Sequence, residues 1–219
     1  KNQNSSDLAI LPLHLKASLE KELKTRARQI YFINQKRFAS SVLLGAHNEA
    51  NMEAAYLACS YFNVCEEEMQ AALETFKAPK HRLEPILEKD GVLFVNDSKA
   101  TTIDALHAAL ESFDRPILLL AGGVFKGGDP VQVRGLIQEK VRAVGLFGQS
   151  REIFEKAWSG VTELTWDPGL KEAVQGLMLK VKSGDVVLLS PATSSFDLFN
   201  NYKERGQAFI ELVREGVWL

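Results

Sequence analysis

The feature that most constrains this chain is the rhythm of its second part, where short apolar runs alternate with longer amphipathic ones. The runs Val92–Asn96, Ile117–Ala121, Ala143–Phe147 and Val186–Ser190 are too short for helices and bounded by turn-forming residues, which predicts buried strands. Between and after them, Thr102–Ser112, Pro130–Lys140, Arg151–Ala157, Leu170–Val181 and Asn201–Arg214 read as helices, and Leu164 marks a further short strand. Strands alternating with helices imply a mostly parallel sheet covered on both faces. An extended Leu83–Leu87 joined to the first strand through Asp90-Gly91 adds a hairpin, since that dipeptide suits a two-residue turn.

The preceding part is less regular. It predicts a strand at Leu8–Leu13, a helix at Leu15–Ala27, strands at Ile30–Ile33 and Val42–Leu44, and helices from His47 to Phe62 and from Glu66 to Phe76. Glu66, Glu67 and Glu68 suit a helix N-terminus, where the macrodipole favours negative charge. Lys77–Arg82 breaks the helical pattern, so a hinge is expected there, dividing the chain into residues 1–79 and 80–219. A chain that opens at Lys1-Asn2 straight into a strand-helix-strand unit reads as a piece of a larger protein.

Composition removes several classes. The 219 residues are 46% hydrophobic, enough to bury a sizeable core, and their net charge of -2 comes from interspersed acids and bases. Without a basic stripe, nucleic acid is not an expected partner. No apolar run approaches the roughly 20 residues needed to span a bilayer, and no signal-peptide core is present, which predicts a cytoplasmic protein without a membrane partner. Cys59 and Cys65 have neither metal-ligand nor disulfide-framework spacing.

In open α/β sheets ligands bind beyond the carboxyl ends of the strands. Here the loop after Asn96 holds Asp97-Ser98-Lys99-Ala100-Thr101, the loop after Ala121 holds Gly122-Gly123 and Lys126-Gly127-Gly128, and the loop after Ser190 holds Pro191-Ala192-Thr193-Ser194-Ser195. On one rim these would gather ammonium groups, hydroxyls and glycine-exposed amides, a set suited to anions. Singly each has a bland reading: Asp97 could cap a helix, the glycines could make an ordinary turn, and a loop lysine is usually solvated. Ser190, Ser194 and Ser195 lack a placed base and are poor nucleophiles. His14 and His107 read as structural or surface residues. No strand is followed by G-x-G-x-x-G, which argues against NAD, and G-x-x-x-x-G-K-[ST] is absent, so this chain lacks the phosphate cradle of an ATP-cleaving enzyme.

The string Asn96-Asp97-Ser98-Lys99-Ala100-Thr101 resembles a signature of the D-glutamate-adding branch of the Mur ligase family. In the same order stand His47-Asn48-x-x-Asn51, His81-Arg82, Gly122-Gly123 with Lys126, and Leu189-Ser190-Pro191-Ala192 leading to Ser195-Phe196-Asp197, so the resemblance covers nearly the whole chain. It implies a Rossmann-like, mostly parallel α/β C-terminal domain at 80–219 that binds D-glutamate. The second half of a central α/β ATPase domain would precede it at 1–79.

The activity implied is ATP-dependent addition of D-glutamate to UDP-N-acetylmuramoyl-L-alanine through an acyl phosphate, in peptidoglycan synthesis, by a monomeric parent. The fragment alone would be inactive. By the same resemblance, Asn48, Asn51, Arg82 and Asp97 would contact ATP or ADP, with Asp97 at the ribose and Arg82 at the phosphates. Lys99 would lie near the transferred phosphate, and Thr101, Lys126, Ser195, Phe196 and Tyr202 would hold D-glutamate. Lys99 and Lys126 are the catalytic candidates. Tyr202 stands where the family often has phenylalanine, and Mg2+ would be bound mostly by residues outside this chain. Another Mur-type ligase, such as a folate polyglutamate synthase, and a non-catalytic α/β module for acidic ligands are the alternatives.

Overall fold

In a computed structural model the chain is described at residues 3–40, 42–43 and 45–216. It divides into two compact units, Lys1–Lys77 and Ala78–Leu219, each considered by itself.

In the second unit, β3 (Glu84–Lys89) and β4 (Val92–Asn96) form an antiparallel hairpin. Its turn residues Asp90 and Gly91 have φ of 53° and 77°, the left-handed pair that a tight hairpin needs. There follow α4 (Ile103–Glu111), β5 (Ile117–Gly122), α5 (Arg134–Lys140), β6 (Val141–Phe147), α6 (Arg151–Trp158), β7 (Glu163–Asp167), α7 (Leu170–Met178), β8 (Val186–Leu189) and α8 (Tyr202–Glu215). The six strands lie in the order β3-β4-β8-β5-β6-β7, parallel throughout except for β3.

β5 is apolar and buried along its whole length because helices cover both faces of a parallel sheet. On one face Leu118 and Leu120 pack with Leu170, Val174, Phe209 and Val213 from α7 and α8. Alternation turns Ile117 and Leu119, both 0% exposed, to the other face. Each such leucine contributes roughly 1.5–3 kcal/mol by leaving water. Thr102 caps α4 by accepting from Ala105 N, and Asn201 caps α8 by accepting from Lys203 N and Glu204 N.

Several expected boundaries moved for local reasons. The helix expected at Pro130–Lys140 begins as a 3-10 turn, Pro130–Val133, because Asp129 caps Val131 N ahead of α5. α7 stops at Met178 instead of Val181, since Lys180 N and Val181 N bond to Leu177 O and Met178 O, tightening the last turn.

In the first unit, β1 (Leu8–Pro12) pairs in parallel with β2 (Arg28–Phe32) across α1 (Lys16–Glu22), and α2 (Ala46–Ser60) and α3 (Glu66–Thr75) follow. Its core is small: Phe38, Met52 and Leu73, with Tyr56 and Met69 against them. Arg37 Nε bonds both oxygens of Glu53 at 3.2 Å. The strand expected at Val42–Leu44 is replaced by a bend at Val42 and Leu43, whose N–H groups donate to Ser40 Oγ; Leu44 lies outside the described residues. Among the described residues no helix is long and apolar enough to cross a membrane.

Candidate functional site

Strand order decides which loops meet. β8 lies between β4 and β5, so the three loops singled out in the sequence leave three adjacent strands. They are stitched together. Asp97 N donates to Leu189 O at 2.8 Å and Ala192 N to Ala100 O at 2.9 Å, joining the loops after β4 and β8. Gly122 N donates to Pro191 O, while Val124 and Ser194 exchange backbone bonds of 2.9 and 3.0 Å, joining the loops after β8 and β5. Close approach requires glycine at 123: a Cβ there would lie 2.2 Å from Ser194 O.

Asp97 directly follows β4 with its side chain turned inward. Oδ1 accepts Leu83 N at 3.1 Å and Oδ2 accepts Ser190 Oγ at 2.9 Å. Burial outweighs these bonds and the charge of Arg82, pushing the carboxyl up from 3.8 to about 7. The same carboxylate therefore fixes the turn that carries Arg82. On either side of Arg82, His81 and Leu83 hold positive φ of 64° and 41°, rare for non-glycine residues. His81 N is held by Glu84 Oε2 at 2.8 Å, and His81 O accepts Lys99 N at 3.0 Å. Arg82 itself is exposed.

Lys99 is half-buried, with its ammonium 5.5 Å from the centre of the Tyr202 ring, a cation-π distance. Thr101 is half-buried beside it in the chain, and Ser195 is buried at the end of the Ser190–Ser195 loop. Phe196 is 72% exposed, and Lys126 is also exposed. The Lys126 segment is anchored at its start by Val124 and Phe125, which meets Phe154 edge-on at 5.9 Å. After Lys126 come Gly127 and Gly128, with φ of 111° and 98°. Asn48 and Asn51 belong to the first unit, on α2, where Asn51 Nδ2 donates to Asn48 Oδ1 at 3.3 Å.

The sequence reading missed Arg205. It is 0% exposed, and its guanidinium donates to Ser98 Oγ (3.0 Å), Ser98 O (2.8 Å), Thr193 O (3.1 Å) and Gly122 O (3.5 Å). Burial lowers its pKa to about 10, which leaves it charged at neutral pH. The available signal was an arginine at a core position, in helical register with buried Phe209 and Val213. Asn96 was also underread: buried, it bonds His81 Nδ1 at 2.8 Å and Glu84 at 3.1 Å, and accepts Ser98 N.

A groove of ≈ 490 Å³ lies at the carboxyl ends of β6 and β7, lined by residues including Gly148, Arg151, Trp166, Asp197 and Leu198. Neither Lys99 nor Lys126 lines it. Among the described residues no group of three or more His, Cys, Asp or Glu could hold a metal ion.

The profile of the family described as "Mur ligase, glutamate ligase domain" matches residues 81–193, more than half of the chain, including the rim loops after β4 and β5 and the first part of the loop after β8. The chain belongs to the Mur ligase family. Two relatives named UDP-N-acetylmuramoylalanine--D-glutamate ligase extend the likeness beyond the domain. That of Lawsonia intracellularis is 50% identical over 98% of this chain and 49% of its own length. That of Nitratidesulfovibrio vulgaris (strain DP4) is 52% identical over 94% of this chain and 48% of its own. This Mur ligase chain thus spans about half the length of the curated relatives it matches. In fold it is similar to the MurF ligase of Thermotoga maritima solved with ADP, at TM-score 0.64 and 17% identity, covering 99% of this chain and 55% of that one.

Proposed function

We propose that this Mur ligase chain is the amino-acid-accepting portion of an ATP-dependent ligase that adds D-glutamate to UDP-N-acetylmuramoyl-L-alanine in peptidoglycan synthesis. The observation that carries the reading is the meeting of the Asp97–Thr101, Gly122–Lys126 and Ser190–Ser195 loops on adjacent strands. It occurs in a chain about half identical, over nearly its full length, to ligases of that name. In the same reading, residues 80–219 form the D-glutamate-binding domain, 1–79 are part of an ATP-binding domain, and the parent is a cytoplasmic monomer.

The reaction sets the requirements. The γ-phosphoryl group of ATP passes to the substrate carboxylate, giving an acyl phosphate and ADP. The amine of D-glutamate then attacks the acyl carbon, forming the amide as the phosphate leaves and a proton is released. Both steps develop negative charge on oxygen, which positioned cations stabilise.

Lys99, steadied by Tyr202, is assigned to the phosphoryl oxygens and Arg82, on its locked turn, to the nucleotide phosphates. Lys126 pairs with a carboxylate of D-glutamate, while Thr101, Ser195, Phe196 and Tyr202 complete its pocket. Asp97, Asn48 and Asn51 are assigned to the nucleotide, and Asp97 also supports the Arg82 turn through its inward bonds. Mg2+ would supply further charge at the phosphates, but the described residues offer no cluster for it and none of these steps is routed through it.

The test is calorimetric titration of this chain with D-glutamate and L-glutamate, alongside the ligase assay on the parent. Stereoselective heat with D-glutamate, or D-glutamate-dependent ADP release by the parent, is expected. A parent indifferent to D-glutamate would remove the reading.

A further inference from the structure

Arg205 occupies a position where packing alone would place an apolar residue. It stands one helical turn before Phe209 and two before Val213, on the buried face of α8. Its hydrogen-bond partners are neutral oxygens: one hydroxyl and three backbone carbonyls. A buried cation whose hydrogen bonds all go to dipoles, with the Asp197 carboxylate acting on it only through space, costs stability that a well-packed hydrophobic side chain would not. What the cation gains is geometry. The three carbonyls belong to the loops after β4 and β8 and to the last residue of β5, and a planar fork with diverging donors can reach all of them at once.

The link continues outward. Ser98 Oγ accepts from Arg205 Nε and donates to Tyr202 O at 2.8 Å. The Tyr202 ring in turn lies beside the Lys99 ammonium. Thr193 O, held by Arg205 Nη2, lies two residues before Ser195, and Gly122 opens the segment that leads to Lys126. Gly123 packs so closely that a Cβ would lie 3.2 Å from Arg205 Nη1.

We propose that Arg205 is a positioning residue for the amino-acid-accepting rim. It locks the loops after β4, β5 and β8 into one relative geometry, so that Lys99, Lys126 and Ser195 address a single ligand without Arg205 touching it. The proposal rests on the D-glutamate ligase reading.

The test uses the parent enzyme with Arg205→Lys and Arg205→Ala, measuring kcat and KM for D-glutamate beside the unfolding midpoint. Lysine keeps the charge but not the fork. The expected result is folded R205K protein whose kcat/KM for D-glutamate falls on the order of 10²-fold, the scale of a small misplacement of reacting groups. Added guanidinium ion, too dilute to move the midpoint, should restore part of the activity of R205A, which a purely structural loss would not allow.

R205K with unchanged kinetics would overturn the proposal, as would losses that only follow the unfolded fraction at constant KM. Should both variants fail to fold, Ser98→Ala removes a single arm of the link. A several-fold rise in KM for D-glutamate is then expected, and an unchanged KM overturns the role. An unmodified parent indifferent to D-glutamate would sink the substrate reading and this proposal together, whereas an active parent with unaffected variants sinks the positioning role alone.

Discussion

The two sides of the rim are built by opposite means. The loops after β4 and β8 are buried and cross-bonded: Asn96, Asp97, Ser98 and Ser190 are at most 7% exposed, and side chains as well as backbone bridge the loops. The segment after β5 is anchored through Val124 and Phe125, then runs exposed through Lys126 to Gly127, which has open space where a Cβ would lie. The difference teaches that one rim can combine a preorganised wall with an exposed arm whose charge stays hydrated.

The largest effect that would break this comparison concerns the wall's buried acid. In the folded chain Asp97 is raised from 3.8 to about 7, so the folded state holds a proton that the unfolded chain releases. Its contribution is complete below about pH 4, declines as pH rises toward about 7, and is lost above that; the shift corresponds to roughly 4 kcal/mol. Asp97→Asn should remove this decline, which urea unfolding between about pH 4 and pH 8 will measure. An unchanged slope would mean that the acid is not buried as described.

Next comes Gly123→Ala. The added Cβ would lie 2.2 Å from Ser194 O and 2.5 Å from Thr193 Oγ1, at φ +129°, so a loss of roughly 3 kcal/mol or more is expected by thermal or urea unfolding. Lys126→Ala separates ligand from fold. D-glutamate kcat/KM in the parent should fall on the order of 10²-fold, from loss of one charge pair, while stability changes by less than about 0.5 kcal/mol because the side chain is exposed. The smallest effect is expected for Gly127→Ala, where no atom lies within 4 Å of the added Cβ and only φ +111° opposes it, a cost of about 1 kcal/mol. If Gly127→Ala proved as damaging as Gly123→Ala, the contrast between wall and arm would fail.

Much of the fold was legible because it is written in local terms. The Asp90-Gly91 turn, the buried run of β5 and the caps at Thr102 and Asn201 follow from residue preferences that act over a few positions. The bend at Val42–Leu43 was missed because a serine hydroxyl competed for strand N–H groups, a choice apolar patterning does not register. Arg205 was missed because its partners Ser98 and Gly122 lie 107 and 83 residues away.

By itself, then, the sequence determined that strands alternate with helices and that lysines, hydroxyls and glycines are concentrated in the loops after β4, β5 and β8. Only the tertiary structure decided that β8 enters between β4 and β5, bringing those loops onto neighbouring strands, and that one buried guanidinium binds all three. The reason is physical. Turn and helix signals are energies of adjacent residues, whereas strand order and a shared hydrogen-bond donor are set by contacts between distant segments, won only when the whole sheet assembles.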